Sequence, residues 1–89
     1  MFYVYLLQSL TTDDIYIGFT SNVERRLAEH NMGNNTSTKK YQWKLVFYEA
    51  YASESDARTR EAKLKHYGKS LTMLKKRLLG SLENSKGAG

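Results

Sequence analysis

The sequence of 89 residues contains no cysteine and no proline. The absence of cysteine excludes a disulfide framework, thiolate metal sites and a cysteine nucleophile. No stretch reaches the roughly 18 consecutive apolar residues that a membrane-spanning helix requires. The N-terminus also lacks the basic segment that opens a secretory signal. We therefore expect a cytoplasmic protein with no membrane association, stabilised by packing alone.

The chain is short enough for one hydrophobic core only, because domains commonly have about 100 to 150 residues. Its 40% hydrophobic and 12% aromatic content suffices for a small core, and 26% charged residues is typical of a folded domain rather than a disordered polymer. We expect one domain over residues 1–82. The polar, glycine-containing residues 83–89 (ENSKGAG) are expected to form a flexible tail.

Positive charge is distributed unevenly along the chain. The net charge is +5, yet residues 1–21 contain no lysine or arginine, whereas residues 58–80 hold eight cations and one acid. Such a segment attracts phosphates through counterion release, although an ordinary solvated helix surface has a similar composition. The candidate nucleic-acid-binding residues are Arg58, Lys63, Lys65, Lys69, Lys75, Lys76 and Arg77, with Lys39 and Lys40 from a separate polar segment.

Three segments have the composition of β-strands. In residues 2–9 the period of two places Tyr3, Tyr5 and Leu7 on one face and Phe2, Val4, Leu6 and Gln8 on the other. A turn-forming LTTDD segment separates this strand from a second one over residues 15–19, so an antiparallel hairpin is expected. Residues 43–51 (WKLVFYEAY) predict a third strand.

The first helix is predicted over about residues 22–32. Ser21 and Glu24 have the spacing of a capping box, in which the serine hydroxyl accepts from the third helical amide. The polar segment that follows, residues 33–41 (GNNTSTKKY), is predicted to be a loop near a ligand.

Two further helices follow the third strand. Ser53 is the predicted N-cap of a helix that continues to Tyr67 and is stopped by Gly68. Ser70 is the predicted cap of the last helix, whose apolar stripe consists of Leu71, Leu74, Leu78 and Leu82. The predicted order of elements is therefore β-β-α-β-α-α.

Polar side chains occupy helix faces that should be apolar. Arg26 and His30 share the inward face of the first helix with Val23 and Leu27. Glu61 lies on the inward face of the second helix, and burying a carboxylate without a partner costs several kcal/mol. It therefore needs a cation, a metal or donated hydrogen bonds.

These residues also have purely structural interpretations. Arg26 and Glu61 could pair as a structural salt bridge, and His30 could be a satisfied, half-buried histidine. Tyr5 and Tyr16 could be ordinary sheet aromatics. The convergence of phenols, guanidinium, imidazole and carboxylate on one small scaffold favours a functional site, because local rules tend to be broken at such sites.

Two tripeptides resemble the motifs of the GIY-YIG nuclease superfamily. Tyr3-Val4-Tyr5 is similar to the first motif, and Tyr16-Ile17-Gly18 matches the second letter for letter. Arg26 follows at the family's spacing, in SNVERRLAEH, and His30 follows one turn later. Glu61, in ARTREAKLK, resembles the family's metal-binding glutamate. The resemblance covers about residues 2–80.

The resemblance implies a small α/β fold of the α+β type, in which helices flank a three-stranded antiparallel sheet. It also implies hydrolysis of DNA phosphodiester bonds with one Mg²⁺ or Mn²⁺ ion. Tyr16 would be the general base or its relay, with Tyr5 hydrogen-bonded near it. Arg26 would stabilise charge on the phosphate, His30 would position the water or Tyr16, and Glu61 would hold the metal.

The chain departs from the family pattern in two places. Tyr3 stands where the first motif has glycine, and no asparagine occurs between Ala62 and Leu82, although several branches carry one late in the domain. Asn84 lies in the expected tail.

The leading hypothesis is a metal-dependent endonuclease that recognises DNA structure rather than sequence, because we expect no appended recognition domain. RNA stays open as the polymer, since a phosphate-directed surface does not distinguish the sugars. The alternative is a nucleic-acid-binding module with the same fold that cleaves weakly or not at all, acting with a protein partner. A third hypothesis is an interaction domain that uses the leucine stripe as a dimer surface, although such a stripe is usually core.

Overall fold

The computed structural model describes residues 1–33 and 42–82. The elements, in chain order, are β1 (Phe2–Ser9), β2 (Ile15–Thr20), α1 (Val23–Asn31), β3 (Trp43–Tyr51), α2 (Glu54–His66), α3 (Gly68–Arg77) and α4 (Leu79–Leu82). The sheet has the order β2-β1-β3, and both pairings are antiparallel. The expected α+β fold and order of elements are confirmed, with one additional short helix, α4.

The central strand β1 is covered on both faces, which agrees with its two alternating apolar sets. Val4 and Leu6 pack with Ile17 and with buried side chains of α2 and α3. On the opposite face, Tyr5 and Leu7 pack with Trp43. The second face carries the tyrosines, so the candidate site is built between this face and α1.

Helix α1 begins one residue later than the serine cap predicted. The side chain of Asn22, not that of Ser21, accepts the Arg25 amide at 3.0 Å. The reason lies in the turn that leaves β2, because the Thr20 hydroxyl accepts the Asn22 amide at 3.1 Å and fixes that residue in an extended conformation. The predicted Ser21 cap is therefore wrong. The helix is followed by Gly33 with φ 79°, a left-handed conformation that glycine adopts without strain.

Helix α2 begins as predicted, with the Asp56 amide donating to the Ser53 hydroxyl at 3.3 Å. It ends at His66, because Tyr67 is extended and serves as a cap between α2 and α3. Helix α3 then begins at Gly68 rather than stopping there, and Ser70 lies inside its first turn. The predicted Gly68 stop and the predicted Ser70 cap are both wrong.

The leucine stripe belongs to the core. Leu71, Leu74, Leu78 and Leu82 all pack with the cluster that contains Val4 and Leu6. The helix is interrupted at Leu78, where φ is −115° and ψ is 22°, so that Leu82 reaches the core from the separate helix α4. This packing accounts for the stripe without a dimer.

Some expectations fall outside the described residues: the predicted flexible tail over residues 83–89, most of the predicted loop over residues 33–41, and Lys39 and Lys40. Within residues 1–33 and 42–82, no helix is both long and apolar enough to cross a membrane.

Candidate active site

Tyr5 lies at the centre of the candidate site. Strand β1 places it on the face covered by α1, where the residue is only 2% exposed. Its hydroxyl lies 2.8 Å from Nε2 of His30, a fully buried residue in the last turn of α1. The inward histidine of the first helix is therefore satisfied by a phenol of the central strand.

Gly18 makes room for this phenol. It is the direct partner of Tyr5 in the β1-β2 pairing. A β-carbon at Gly18 would overlap the hydroxyl oxygen and Cζ of Tyr5. The glycine of the second motif thus has a packing role, because only a residue without a side chain leaves space for the ring.

Tyr16 lies on the same face of the sheet as Tyr5. It pairs with Leu7, and its ring centroid lies 6.2 Å from that of Tyr5. The Tyr16 ring meets the His30 ring edge to face, with 4.7 Å between the centroids. The imidazole therefore contacts both tyrosines, and it fixes Tyr5 by a hydrogen bond and Tyr16 by packing.

Arg26 joins this group from α1. Its Nη1 donates to Oε1 of Glu29 at 2.8 Å, and the guanidinium lies close enough to Tyr5 for each group to affect the pKa of the other. The pair with Glu29 raises the pKa of Arg26 and lowers that of Glu29. With 30% of its side chain exposed, Arg26 presents a permanent positive charge at the mouth of the site.

Burial controls the protonation of the phenol and the imidazole. It raises the pKa of Tyr5 to about 12, and this exceeds the lowering effect of Arg26. Burial also lowers the pKa of His30, and the charge of Arg26 adds to that effect. Near neutral pH both groups are therefore uncharged.

Glu61 approaches from α2, on the other side of the sheet. Its side chain is 18% exposed, and its Oε2 lies 2.9 Å from Nζ of Lys65, one turn later. The carboxylate is close enough to Tyr5 for its charge to contribute, as a small effect, to the raised phenol pKa.

The alternative salt bridge between Arg26 and Glu61 is not formed. Within the described chain, the carboxylate partner of Arg26 is Glu29, and that of Glu61 is Lys65. Arg25 also pairs with Glu29, at 3.8 Å, as expected for surface residues four positions apart.

The donor set for a metal is sparse. Among residues 1–33 and 42–82, no three acidic or histidine side chains are gathered as ligands. A single carboxylate fits Mg²⁺ or Mn²⁺, since Mg²⁺ commonly keeps several waters and takes its remaining ligands from substrate phosphate. It does not fit a structural zinc site, which requires four protein ligands. Glu61 is the residue that could hold such an ion, once Lys65 moves aside.

The cationic residues of the second half fall on two sides of α2. Arg58 and Lys65 share a side with Glu61, and the Arg58 guanidinium lies 4.1 Å from the centre of the Phe19 ring of β2. The cations on the other side lie along a groove between α2 and α3: Lys63, Lys69, Lys76 and Arg77, together with Arg60. Lys75 does not line that groove.

Some contributors to the site were not predicted. Glu29 lies three residues after Arg26 on α1, and this spacing was a usable signal for an ion pair. Trp43 packs edge to face against Tyr16, with 6.4 Å between centroids. Asn31 fixes Trp43 by accepting its amide at 2.7 Å and donating to its carbonyl at 3.1 Å. No sequence pattern indicated the Trp43 and Asn31 contacts, which join α1 to β3.

Comparison with known proteins identifies the family. Residues 1–77 match the family model of the GIY-YIG catalytic domain. A UPF0213 protein of Natronomonas pharaonis is 40% identical over 79 residues, covering 86% of this chain and 87% of the relative. A UPF0213 protein of Clostridium perfringens is 33% identical over 88 residues, covering 97% and 89%. One of Staphylococcus haemolyticus is 35% identical over 69 residues, covering 75% and 83%. No solved structure gives a significant match.

The fold and the matched domain define the class of protein, a small catalytic domain of the nuclease type. The chain belongs to the GIY-YIG family, and the resemblance seen in its motifs is confirmed. The domain implies a nucleic acid substrate, and nucleases of this family generally use divalent metal ions. The relatives are themselves small, since this chain spans most of their length.

Proposed function

We propose that the protein is an endonuclease that hydrolyses DNA phosphodiester bonds with one divalent metal ion held by Glu61. One observation supports this most strongly: the Tyr5 hydroxyl bonds His30, the His30 ring packs on Tyr16, and the charges of Arg26 and Glu61 both act on the pKa of Tyr5. A purely structural core would not need two charged groups, those of Arg26 and Glu61, that act on a buried phenol.

Hydrolysis of a phosphodiester requires a base for the attacking water, positive charge for the phosphate and stabilisation of the leaving oxygen. We assign the positive charge to Arg26. Its guanidinium carries a fixed charge, is held by Glu29 and is partly exposed, so it can contact a phosphate oxygen and stabilise the charge that builds up there.

We assign the proton acceptor to Tyr16 rather than Tyr5. Tyr5 is almost completely buried, burial raises its pKa to about 12, and its hydroxyl is hydrogen-bonded to His30. Tyr16 is partly exposed and within electrostatic reach of Arg26, so water can approach its hydroxyl oxygen. In this scheme the water proton moves to the Tyr16 oxygen, directly or through a second water.

His30 is a positioning residue in this scheme. It is fully buried and its Nε2 is engaged by Tyr5. It therefore orients the two phenols instead of contacting the attacking water. Tyr5 in turn links the imidazole to Arg26.

Glu61 is the proposed metal ligand. When bound, a divalent ion supplies charge stabilisation to the phosphate and the leaving oxygen. The partner of the carboxylate, Lys65, is 42% exposed and can move into solvent when the ion binds. Among the described residues no three acidic or histidine side chains are grouped, which favours one ion over a two-metal site.

The substrate we propose is DNA selected by its structure. Contacts from lysine and arginine to phosphates position a nucleic acid without reading its sequence. The cations on both sides of α2 are suited to such contacts. Recruitment by a protein partner and action on RNA are variants that the same assay distinguishes.

The test is a cleavage assay with supercoiled, nicked, branched and single-stranded DNA and with RNA, in Mg²⁺, Mn²⁺ or EDTA. The proposal predicts metal-dependent cleavage that is lost in Tyr16→Phe, Arg26→Ala and Glu61→Ala, while Glu61→Ala still binds DNA. Full activity in any of these variants would assign the cleavage to another site or a contaminant. Salt-dependent binding without cutting would instead establish the alternative, a binding module with this fold.

A further inference from the structure

A groove of about 880 Å³ runs between α2 and α3. Five cations line it: Arg60, Lys63, Lys69, Lys76 and Arg77. The other residues known to line it are Tyr67, Ser70, Met73 and Leu74, so no carboxylate among the described residues lines the groove. The groove is therefore positive at its rim and apolar between the charges.

This groove is separate from the candidate active site. Arg58, Glu61 and Lys65 are spaced three and four residues apart and lie on one flank of α2. Arg60, Lys63 and Tyr67 repeat that spacing on the opposite flank. Contacts confirm the division: Arg58 lies over Phe19 of β2, whereas the Arg60 Nε lies 2.9 Å from the Glu49 carboxylate of β3. The two sites are on opposite sides of one helix.

The charges in the groove are mostly uncompensated. Arg60 is neutralised by Glu49. In the described part of the chain, Lys63, Lys69, Lys76 and Arg77 have no carboxylate within 4.0 Å, the limit for an ion pair. Four unpaired cations around one groove attract a polyanion, and the absence of acids from the lining leaves no repulsion against it.

The apolar part of the groove indicates which polyanion. Tyr67 is 62% exposed and Met73 is 56% exposed, although both are large. An exposed aromatic ring between lysines is the arrangement with which proteins bind single-stranded nucleic acid, because unpaired bases stack on the ring while cations contact the backbone. A duplex cannot use the ring in this way, since its bases are already stacked on each other.

We propose that the groove between α2 and α3 binds an unpaired strand of nucleic acid, with a base stacked on Tyr67 and phosphates at Lys63, Lys69, Lys76 and Arg77. The binding itself does not depend on cleavage. Combined with the proposed nuclease function, on which this extension rests, it defines the substrate class as DNA in which an unpaired strand adjoins the segment to be cut. The strand leaves the active-site side of α2 and crosses the helix into the groove.

The test is the binding of a fluorescent oligothymidylate of about 16 nucleotides, an upper site size for such surfaces, measured by anisotropy in EDTA. Tyr67→Ala should weaken binding about tenfold or more, and Tyr67→Phe should retain it because the phenyl ring still stacks. Tyr48→Ala is the matched control, since Tyr48 is a comparably exposed tyrosine (53%) outside the groove. Circular dichroism of each variant verifies that the fold is retained.

Salt dependence tests the phosphate contacts separately. Each contact adds about 0.7 to the slope of log affinity against log salt concentration for a single strand. Lys76→Gln should reduce the slope by about that amount. Lys75→Gln should leave it unchanged, because Lys75 neighbours Lys76 in sequence but does not line the groove.

Two results would overturn the proposal: wild-type affinity in Tyr67→Ala, or equal effects of Lys75→Gln and Lys76→Gln, which would indicate a diffuse positive field. Failure of the nuclease function gives a different result. A chain that binds the strand through Tyr67 but never cuts DNA retains this site and loses the proposed activity. A chain that cuts DNA while Tyr67→Ala binds normally loses only this site.

Discussion

The phenol of Tyr5 occupies the space that a side chain at Gly18 would fill. The two residues are direct partners in the β1-β2 pairing, and a β-carbon at Gly18 would overlap the hydroxyl end of the tyrosine. That same hydroxyl is hydrogen-bonded to His30, and its pKa is lowered by Arg26. The glycine therefore determines where the central phenol of the site can lie.

Gly18→Ala should displace Tyr5 and disturb its bond to His30. Overpacking of this kind typically costs about 1 to 3 kcal/mol, so the urea midpoint should fall and cleavage should be lost. Gly68→Ala is the control, because no atom lies within 4 Å of a β-carbon there and alanine is the better helix former. Equal stability and activity of Gly18→Ala and wild type would show that Tyr5 does not need its observed position.

The raised pKa of Tyr5 predicts a loss of stability at high pH. The native phenol holds its proton up to about pH 12, whereas in the unfolded chain it releases it near 10. This contribution is complete below pH 10 and is lost as the pH rises through 12, a change of about 3 kcal/mol. Urea unfolding between these limits measures it. In Tyr5→Phe the free energy of unfolding should fall less steeply with pH in this range. An unchanged pH profile would contradict the raised pKa of Tyr5.

The pair between Arg26 and Glu29 should control activity more than the neighbouring pair. Arg26→Lys keeps the charge but loses the planar guanidinium, so cleavage should fall about a hundredfold or more, as for other lost transition-state contacts. Arg25→Lys is the matched control, since Arg25 contacts the same Glu29 at 3.8 Å and is largely exposed. Comparable losses in both variants would mean that general surface charge, and not Arg26, is responsible.

Lys65 should compete with the metal ion for Glu61. Exposed pairs of this type contribute about 0.3 to 0.5 kcal/mol, so Lys65→Gln should lower the half-saturating Mn²⁺ concentration about twofold. Lys63→Gln, on the opposite flank of the same helix, should have a smaller effect. Mn²⁺ binding followed by water proton relaxation measures both. Weaker binding in Lys65→Gln would contradict a metal site at Glu61.

The strands and the inward residues could be predicted from the sequence because they depend on local periodicity. Alternation gave the bounds of β1 and β3, and helical spacing placed Arg26 and His30 on the inward face of α1. Helix ends were less predictable. The cap of α1 is set by the Thr20 hydroxyl at the end of β2, and this contact is not visible in a serine-to-glutamate spacing.

The partners within the site could be predicted only in part. Glu29 lies three residues after Arg26, and this local spacing is enough to predict their ion pair from the sequence. The bond from Tyr5 to His30 spans 25 positions, and the packing of Trp43 on Tyr16 requires two strands separated by β1. Such contacts follow from the tertiary arrangement, which local patterns do not specify.

The most direct test of a single shared site is the paramagnetic broadening that Mn²⁺ produces in side-chain NMR signals. The account predicts that substoichiometric Mn²⁺ broadens Tyr5, Tyr16 and Lys65 and that Glu61→Gln, which keeps the size of the side chain, removes the effect. Broadening centred on another part of the chain, or unchanged in Glu61→Gln, would contradict the account.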